Sequence, residues 1–199
     1  MKRIMVFDLG NVILDLHFDD FAKRLSLHTD RSPKEIMEYF CTSETKYNFD
    51  RGIIAPQEFI HLSLDWLNLS DDFHEPFIKL WQNIFTPSSR CEAFFKKVNP
   101  STHLWLMSDT DPLHFVHVVS NYEVLSRFSK FILSFVTGKL KRDAGSFRWL
   151  GDIAKENKIV FIDDMKVNIE AARSVGITSV RFSGWNELEN HEALRDMLV

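Results

Sequence analysis

Cysteine is scarce in this chain, and the two present, Cys41 and Cys91, stand alone. Without paired or clustered spacing they build neither a disulfide framework nor a zinc site, which points to free thiols in a reducing compartment. Long apolar runs are missing too: nothing approaches the ~18 consecutive apolar residues of a membrane-spanning helix. The opening Met1-Lys2-Arg3-Ile4 has the basic start of an export signal, but Asp8 interrupts the apolar stretch after Phe7. A cytoplasmic chain without an export signal is therefore expected. Positive charge is not in surplus, with 24 Lys and Arg against 28 Asp and Glu. The densest basic cluster, Lys139, Lys141 and Arg142, is too short to follow a nucleic-acid backbone. Neither nucleic acid nor membrane is an expected partner. Internal repeats, low-complexity tracts and Gly/Ser linkers are absent as well.

What is present is ordinary globular material, 199 residues with 45% hydrophobic and 26% charged side chains. A chain of this size buries roughly 70% of its unfolded surface and needs no staple. Its texture divides. From Phe18 to about Phe85, apolar residues recur at helical spacing, as in Phe18-Phe21-Leu25, Ile36-Met37-Phe40 and Phe73-Phe77-Leu80-Trp81, predicting four or five helices. Breaks fall at Ser32-Pro33, Arg51-Gly52, Ala55-Pro56 and Thr86-Pro87. After Arg90 the pattern alternates. Helix 90–98, strand 103–107, helix 113–125, strand 131–136, helix 146–155, strand 158–162, helix 167–175, strand 178–182 and a last helix over about 187–197 are predicted. Short apolar strands alternating with helices imply an α/β fold with a parallel sheet and right-handed crossovers, a Rossmann-like core. Residues 3–7 form its first strand. The expected domains are a core of 1–15 plus 87–199 and an all-helical insert of 16–86.

Four predicted strand ends carry polar residues: Asp8, Ser108-Asp109-Thr110, Thr137 through Lys141, and Asp163-Asp164. In an open α/β sheet the carboxyl ends of the strands are where ligands bind. Any one of these residues could simply cap the following helix. Together they say more. Adjacent Asp163 and Asp164 after Ile159-Val-Phe-Ile162 are costly at the mouth of a buried sheet unless a cation compensates them. An oxygen-only ligand set with no neighbouring His or Cys favours Mg²⁺ over Zn²⁺.

These segments resemble the haloacid dehalogenase-like (HAD) superfamily of hydrolases with a helical cap after the first motif. Within it, the chain is most similar to the α-D-glucose-1-phosphate phosphatase-like subgroup, which opens as Phe7-Asp-Leu-Gly-Asn-Val-Ile13 does here. The likeness is carried further by Ser108-Asp109-Thr110 with His114, by Gly138 to Lys141, and by Phe161-Ile-Asp-Asp164 with Asn168-Ile-Glu170 and Gly176-Ile-Thr-Ser179. It implies that Asp8 attacks phosphorus to give an aspartyl-phosphate that water hydrolyses. It also implies Mg²⁺ held by Asp8, the Gly10 backbone carbonyl and Asp164, with Asp163 a ligand or a partner behind them. Ser108, the backbone amide of Asp109, and Lys141 would bind the phosphoryl group of a small phosphorylated metabolite, a sugar phosphate among the candidates.

Three residues depart from the pattern. Gly10 stands where many such phosphatases carry a second aspartate as general acid, though the named subgroup shares the glycine. Asp109 replaces the usual asparagine, and like-charge neighbours could hold it protonated, or its side chain could turn away. Arg142 replaces the proline after the lysine, which makes Lys139 a rival for the phosphate role. The expected function is a Mg²⁺-dependent phosphomonoesterase. The alternatives are a catalytically weak binding or regulatory protein and a dehalogenase using Asp8 without metal. His17 and His114 are expected to be structural, and Phe18, Phe40, Phe49, Trp66 and Trp81 to be core.

Overall fold

The apolar run near the start of the chain becomes β1 (Arg3–Phe7), the central strand of a parallel sheet in a computed structural model that describes residues 1–143 and 145–199. Ile4 to Phe7 are each at most 1% exposed, as a strand covered by helices on both faces must be. Their side chains alternate. Ile4 and Val6 join Met107, Phe147, Leu150 and Phe161 on one face, while Met5 and Phe7 join the larger core on the other. There Phe7 packs edge-on against Phe94, Phe95 and Phe128 at 5.5–6.1 Å.

Between β1 and residue 90 lie β2 (Leu14–Leu16), five α-helices and β3 (Phe85–Pro87). The helices are α1 (Phe18–Leu25), α2 (Pro33–Thr42), α3 (Glu44–Asp50), α4 (Pro56–Leu67) and α5 (His74–Gln82). Local signals set their ends. Ser32 and Glu35 form a reciprocal capping box with Pro33 as the first helical residue, and Pro56 opens α4. Their shared interior is aromatic, with Phe21, Phe40, Phe59, Phe77 and Trp81 buried together. Phe49 stacks on Phe59 at 4.0 Å. Phe40, Phe49 and Trp81 are core as expected, and Phe18 and Trp66 pack half-buried against it.

The rest alternates: α6 (Cys91–Phe95), β4 (Thr102–Ser108), α7 (Pro112–Asn121), β5 (Lys130–Leu133), α8 (Ser134–Thr137), α9 (Arg148–Ala154), β6 (Lys158–Asp163), α10 (Lys166–Arg173), β7 (Thr178–Arg181) and α11 (Trp185–Glu189). Among the described residues the sheet has five strands in the order β5-β4-β1-β6-β7, each parallel to its neighbours. This is the Rossmann-like α/β arrangement that the alternation predicted.

Four elements differ from the sequence expectation. Residues 134–136 are helical rather than strand, because Ser134 turns to exchange hydrogen bonds with the Thr110 backbone, its Oγ accepting at 2.9 Å and donating at 2.9 Å. A stretch of five apolar residues around one serine does not reveal such a turn. The helix expected over 113–125 stops at Asn121 and continues as a 3₁₀ turn, Glu123–Arg127. The last helix is likewise divided into α11 and a 3₁₀ turn, Glu192–Leu194. The His191 ring accepts from the Ala193 backbone at 3.2 Å. Finally, β2 and β3 pair antiparallel around Leu14–Leu16, a ribbon too short to leave a periodic signal.

Candidate active site

The sheet order places the carboxyl ends of β4, β1 and β6 side by side. Asp8 follows β1, Ser108 ends β4, and Asp163 ends β6 with Asp164 next. The loop after α8 brings Lys141 back over this edge. Its Nζ lies 2.7 Å from Asp8 Oδ1 and 2.6 Å from Asp163 Oδ2, with the lysine 2% exposed. Lys139 is exposed on the same loop, so Lys141 is the lysine that reaches Asp8.

Asp8, Asp163 and Lys141 are each tethered. Asp8 Oδ1 accepts from the Leu9 backbone at 2.7 Å. Asp163 takes the Met165 N–H at 2.8 Å and both its oxygens accept from Asn168 Nδ2 at 3.0 Å, fixing its rotamer. The Lys141 N–H donates to Asp109 Oδ1 at 2.8 Å, and its carbonyl accepts from Ser146 Oγ at 2.6 Å. Asp109 Oδ1 is thus taken up as an acceptor by the backbone, and the side chain anchors the lysine loop.

Charge does not balance here. Asp8, Asp163 and Asp164 each present an oxygen within 4.8 Å of the others, and among the described residues Lys141 is the one ammonium that meets two of them. Burial pushes the Asp8 carboxyl up to about 8, Lys141 opposing and Asp163 reinforcing the rise. Burial, with Asp163 beside it, also raises Asp164, whose partner is the Asn11 side chain. Hard oxygen donors with surplus negative charge are what a divalent cation such as Mg²⁺ requires. The donor set fits. Asp163, already engaged by Lys141, Asn168 and Met165, serves the cluster from behind, leaving Asp8 and the half-buried Asp164 nearer to solvent.

A Cβ at Gly10 would lie 2.6 Å from Leu16 Cδ1, the far end of a flexible, half-buried side chain that can rotate aside at small cost. Gly10→Asp is accordingly expected to cost at most ~1 kcal/mol of stability, the low end of overpacking, without raising turnover. Adding Leu16→Ala should recover the stability; thermal melts of the single and double variants check this.

Sequence reasoning did not foresee the contacts that hold these loops. Asn168 came only as part of a motif, yet it orients Asp163. Asp111 is completely buried, caps α7 by accepting the His114 N–H at 2.9 Å, and lies 2.8 Å from His114 Nδ1. Burial alone would raise the Asp111 carboxyl, but His114 and Lys46 hold it below the usual range. His114 is also bound to the Trp81 carbonyl at 2.7 Å, and the exposed His17 to Thr86 Oγ1 at 2.8 Å. The thiols stay free, with Cys41 exposed and burial pushing Cys91 up to about 12.

No family model matches the sequence. Solved structures do. A HAD family enzyme of Bacteroides thetaiotaomicron, in complex with magnesium and inorganic phosphate, superposes with a TM-score of 0.76 over 94% of this chain and 99% of its own, at 20% identity. The chain has the HAD-family fold. A predicted HAD-like family hydrolase of Porphyromonas gingivalis agrees with a TM-score of 0.75 at 20% identity, covering 96% of this chain and 100% of that one. The HAD fold extends to the L-2-haloacid dehalogenase of Xanthobacter autotrophicus, with a TM-score of 0.65 at 15% identity over 92% of this chain and 78% of that one. No helix among the described residues is long and apolar enough to cross a membrane.

Proposed function

We propose that the chain is a Mg²⁺-dependent phosphomonoesterase of the HAD superfamily, acting on a small organic phosphate through an aspartyl-phosphate at Asp8. The observation that carries this reading is the ion cluster at the sheet edge. Asp8 sits within 2.7 Å of a buried lysine and in a group of three carboxylates that call for a cation. The structural neighbour with magnesium and inorganic phosphate supports the same choice. Residues 16–86 act as a helical cap over a core of 1–15 plus 87–199, and the subgroup likeness makes a sugar phosphate a leading candidate substrate.

In this reading Asp8, Asp164 and the Gly10 carbonyl hold Mg²⁺, which supplies charge neutralisation to the phosphate oxygens. An Asp8 oxygen attacks phosphorus and the P–O bond to the leaving alcohol breaks; water then attacks phosphorus and returns Asp8 as a carboxylate. Lys141, Ser108 and the Asp109 amide hold the transferring oxygens. With glycine at residue 10 the chain has no acid at that position, so esters with good leaving groups should turn over faster. A screen of phosphate esters with Mg²⁺, with Asp8→Asn as control, tests the reading. Chloride release from a 2-haloacid without metal would instead favour the dehalogenase reading, and Mg²⁺ binding without any turnover would favour a binding protein.

The raised Asp8 pKa gives a signed pH dependence. Its native value of about 8 lies above the ordinary 3.8, so the folded state holds a proton that the unfolded chain has released. Stability of the cation-free protein should fall as pH rises through that window. Mg²⁺ should therefore raise the melting temperature more at pH 8.5 than at pH 6, which a calorimetric scan at both values checks.

A further inference from the structure

The shortest of the inserted helices, α3, together with its C-terminal cap Arg51, carries two charged or aromatic pairs at helical spacing, and both reach the loops of the candidate site. Lys46 and Asp50 pair with each other, with Lys46 Nζ 4.0 Å from buried Asp111, three residues after Ser108. One position round the helix, Tyr47 and Arg51 meet the loop that carries Lys141. The Arg142 guanidinium lies 4.4 Å over the Tyr47 ring. Arg51 grips Asp143 with both arms, Nε at 3.1 Å and Nη2 at 2.8 Å. Asp143 in turn accepts the Leu140 N–H at 2.9 Å, closing the turn that contains Lys141. The next residue is Gly52 at φ 68°, where a Cβ would lie 2.2 Å from the Phe135 carbonyl of α8, so the end of α3 is seated directly on the core.

The arrangement explains a departure from the HAD pattern. A proline at residue 142 would stiffen the lysine loop by itself; here Arg142 hands that task to α3. Arg51 and Asp143 keep about a quarter of their side-chain surface exposed, at 25% and 27%, and ion pairs of that kind add little to folding stability. Their consequence is positional instead. Moving Asp143 frees the Leu140–Lys141 turn, and with it the one ammonium shared by Asp8 and Asp163.

We infer that α3 is the latch through which the inserted helices set the catalytic loop, with Arg51 as a positioning residue acting through Asp143 on Lys141. This rests on the phosphatase reading for its kinetic consequence but not for its geometry. Two measurements on the intact protein test it. With p-nitrophenyl phosphate and Mg²⁺, Arg51→Ala should lower kcat by ~10- to 100-fold, as misplacement of a reacting group by about an ångström does. KM should stay within about threefold and the melting temperature near wild type. Arg51→Lys should recover part of kcat, since it keeps the charge but loses the fork. Arg51→Ala/Asp143→Ala should be no slower than the slower single variant, and Lys155→Ala, which breaks the exposed pair with Asp152, should match wild type.

The second measurement needs no turnover. Under brief labelling with acetic anhydride, Lys141 should be protected in the wild-type protein and acetylated in Arg51→Ala, read by peptide mass spectrometry. If the wild-type protein hydrolyses no phosphate ester, the phosphatase reading fails while the labelling still decides the latch. Lys141 equally protected in Arg51→Ala, a kcat within twofold of wild type, or a rise in KM alone would overturn it, as would a collapse of folding in both Arg51 variants.

Discussion

Asp8→Asn is expected to lower kcat for phosphate-ester hydrolysis by at least ~10⁴-fold, the scale of losing a covalent nucleophile. Asparagine keeps the shape and can still accept the Leu9 N–H that Asp8 accepts at 2.7 Å. It cannot form the acyl phosphate. Because burial and Asp163 raise the native Asp8 carboxyl, an ionised Asp8 is a cost in the cation-free protein at high pH. The variant should therefore melt no lower than wild type at pH 8.5 without Mg²⁺, and should gain less from added Mg²⁺. Steady-state kinetics and paired melts separate this from misfolding, which would lower activity and melting temperature together.

Lys141→Met should be the most destabilising single change to the site. Methionine fills most of the buried volume but leaves Asp8 and Asp163, each within 2.7 Å of the ammonium, without their shared cation. Breaking a buried pair by removing one partner typically costs ~3–5 kcal/mol. Removing a fixed positive charge from a developing phosphoryl transition state costs a further ~10²–10³-fold or more in kcat. Added Mg²⁺ should recover part of the stability but not the rate. Lys139→Ala, at an exposed position on the same loop, should change neither, and the comparison identifies which lysine meets phosphate. Denaturant melts and kcat for the two variants side by side are the check.

The frame of this molecule was legible because its strands are continuous apolar runs that end abruptly in polar residues. Ile4–Phe7 before Asp8 and Ile159–Ile162 before Asp163 announce buried parallel strands, and parallel strands bring those ends to one edge. The helix starts at Pro33 and Pro56 were legible for a local reason, proline at the first turn. What sequence could not show was contact between distant segments. That Arg51 would meet Asp143, 92 residues away, or that Leu16 would occupy the space beside Gly10, depends on how α3 and β2 are laid against the core. The helical turn of Ser134–Thr137 was hidden because an apolar run reads equally well as strand until Ser134 finds its partner on Thr110. The roles of Asn168 and Asp109 belong to the same class, since each acts on a neighbour's orientation and neither has a spacing that declares it.

Acid quench of the protein within one turnover of a ³²P-labelled phosphate ester and Mg²⁺, followed by peptide mapping, tests the central claim most directly. Label is expected on the peptide containing Asp8, stable in acid and released by hydroxylamine, and none in Asp8→Asn. Release of inorganic phosphate at the wild-type rate with no label on Asp8 at any quench time, or label on another residue, would contradict it.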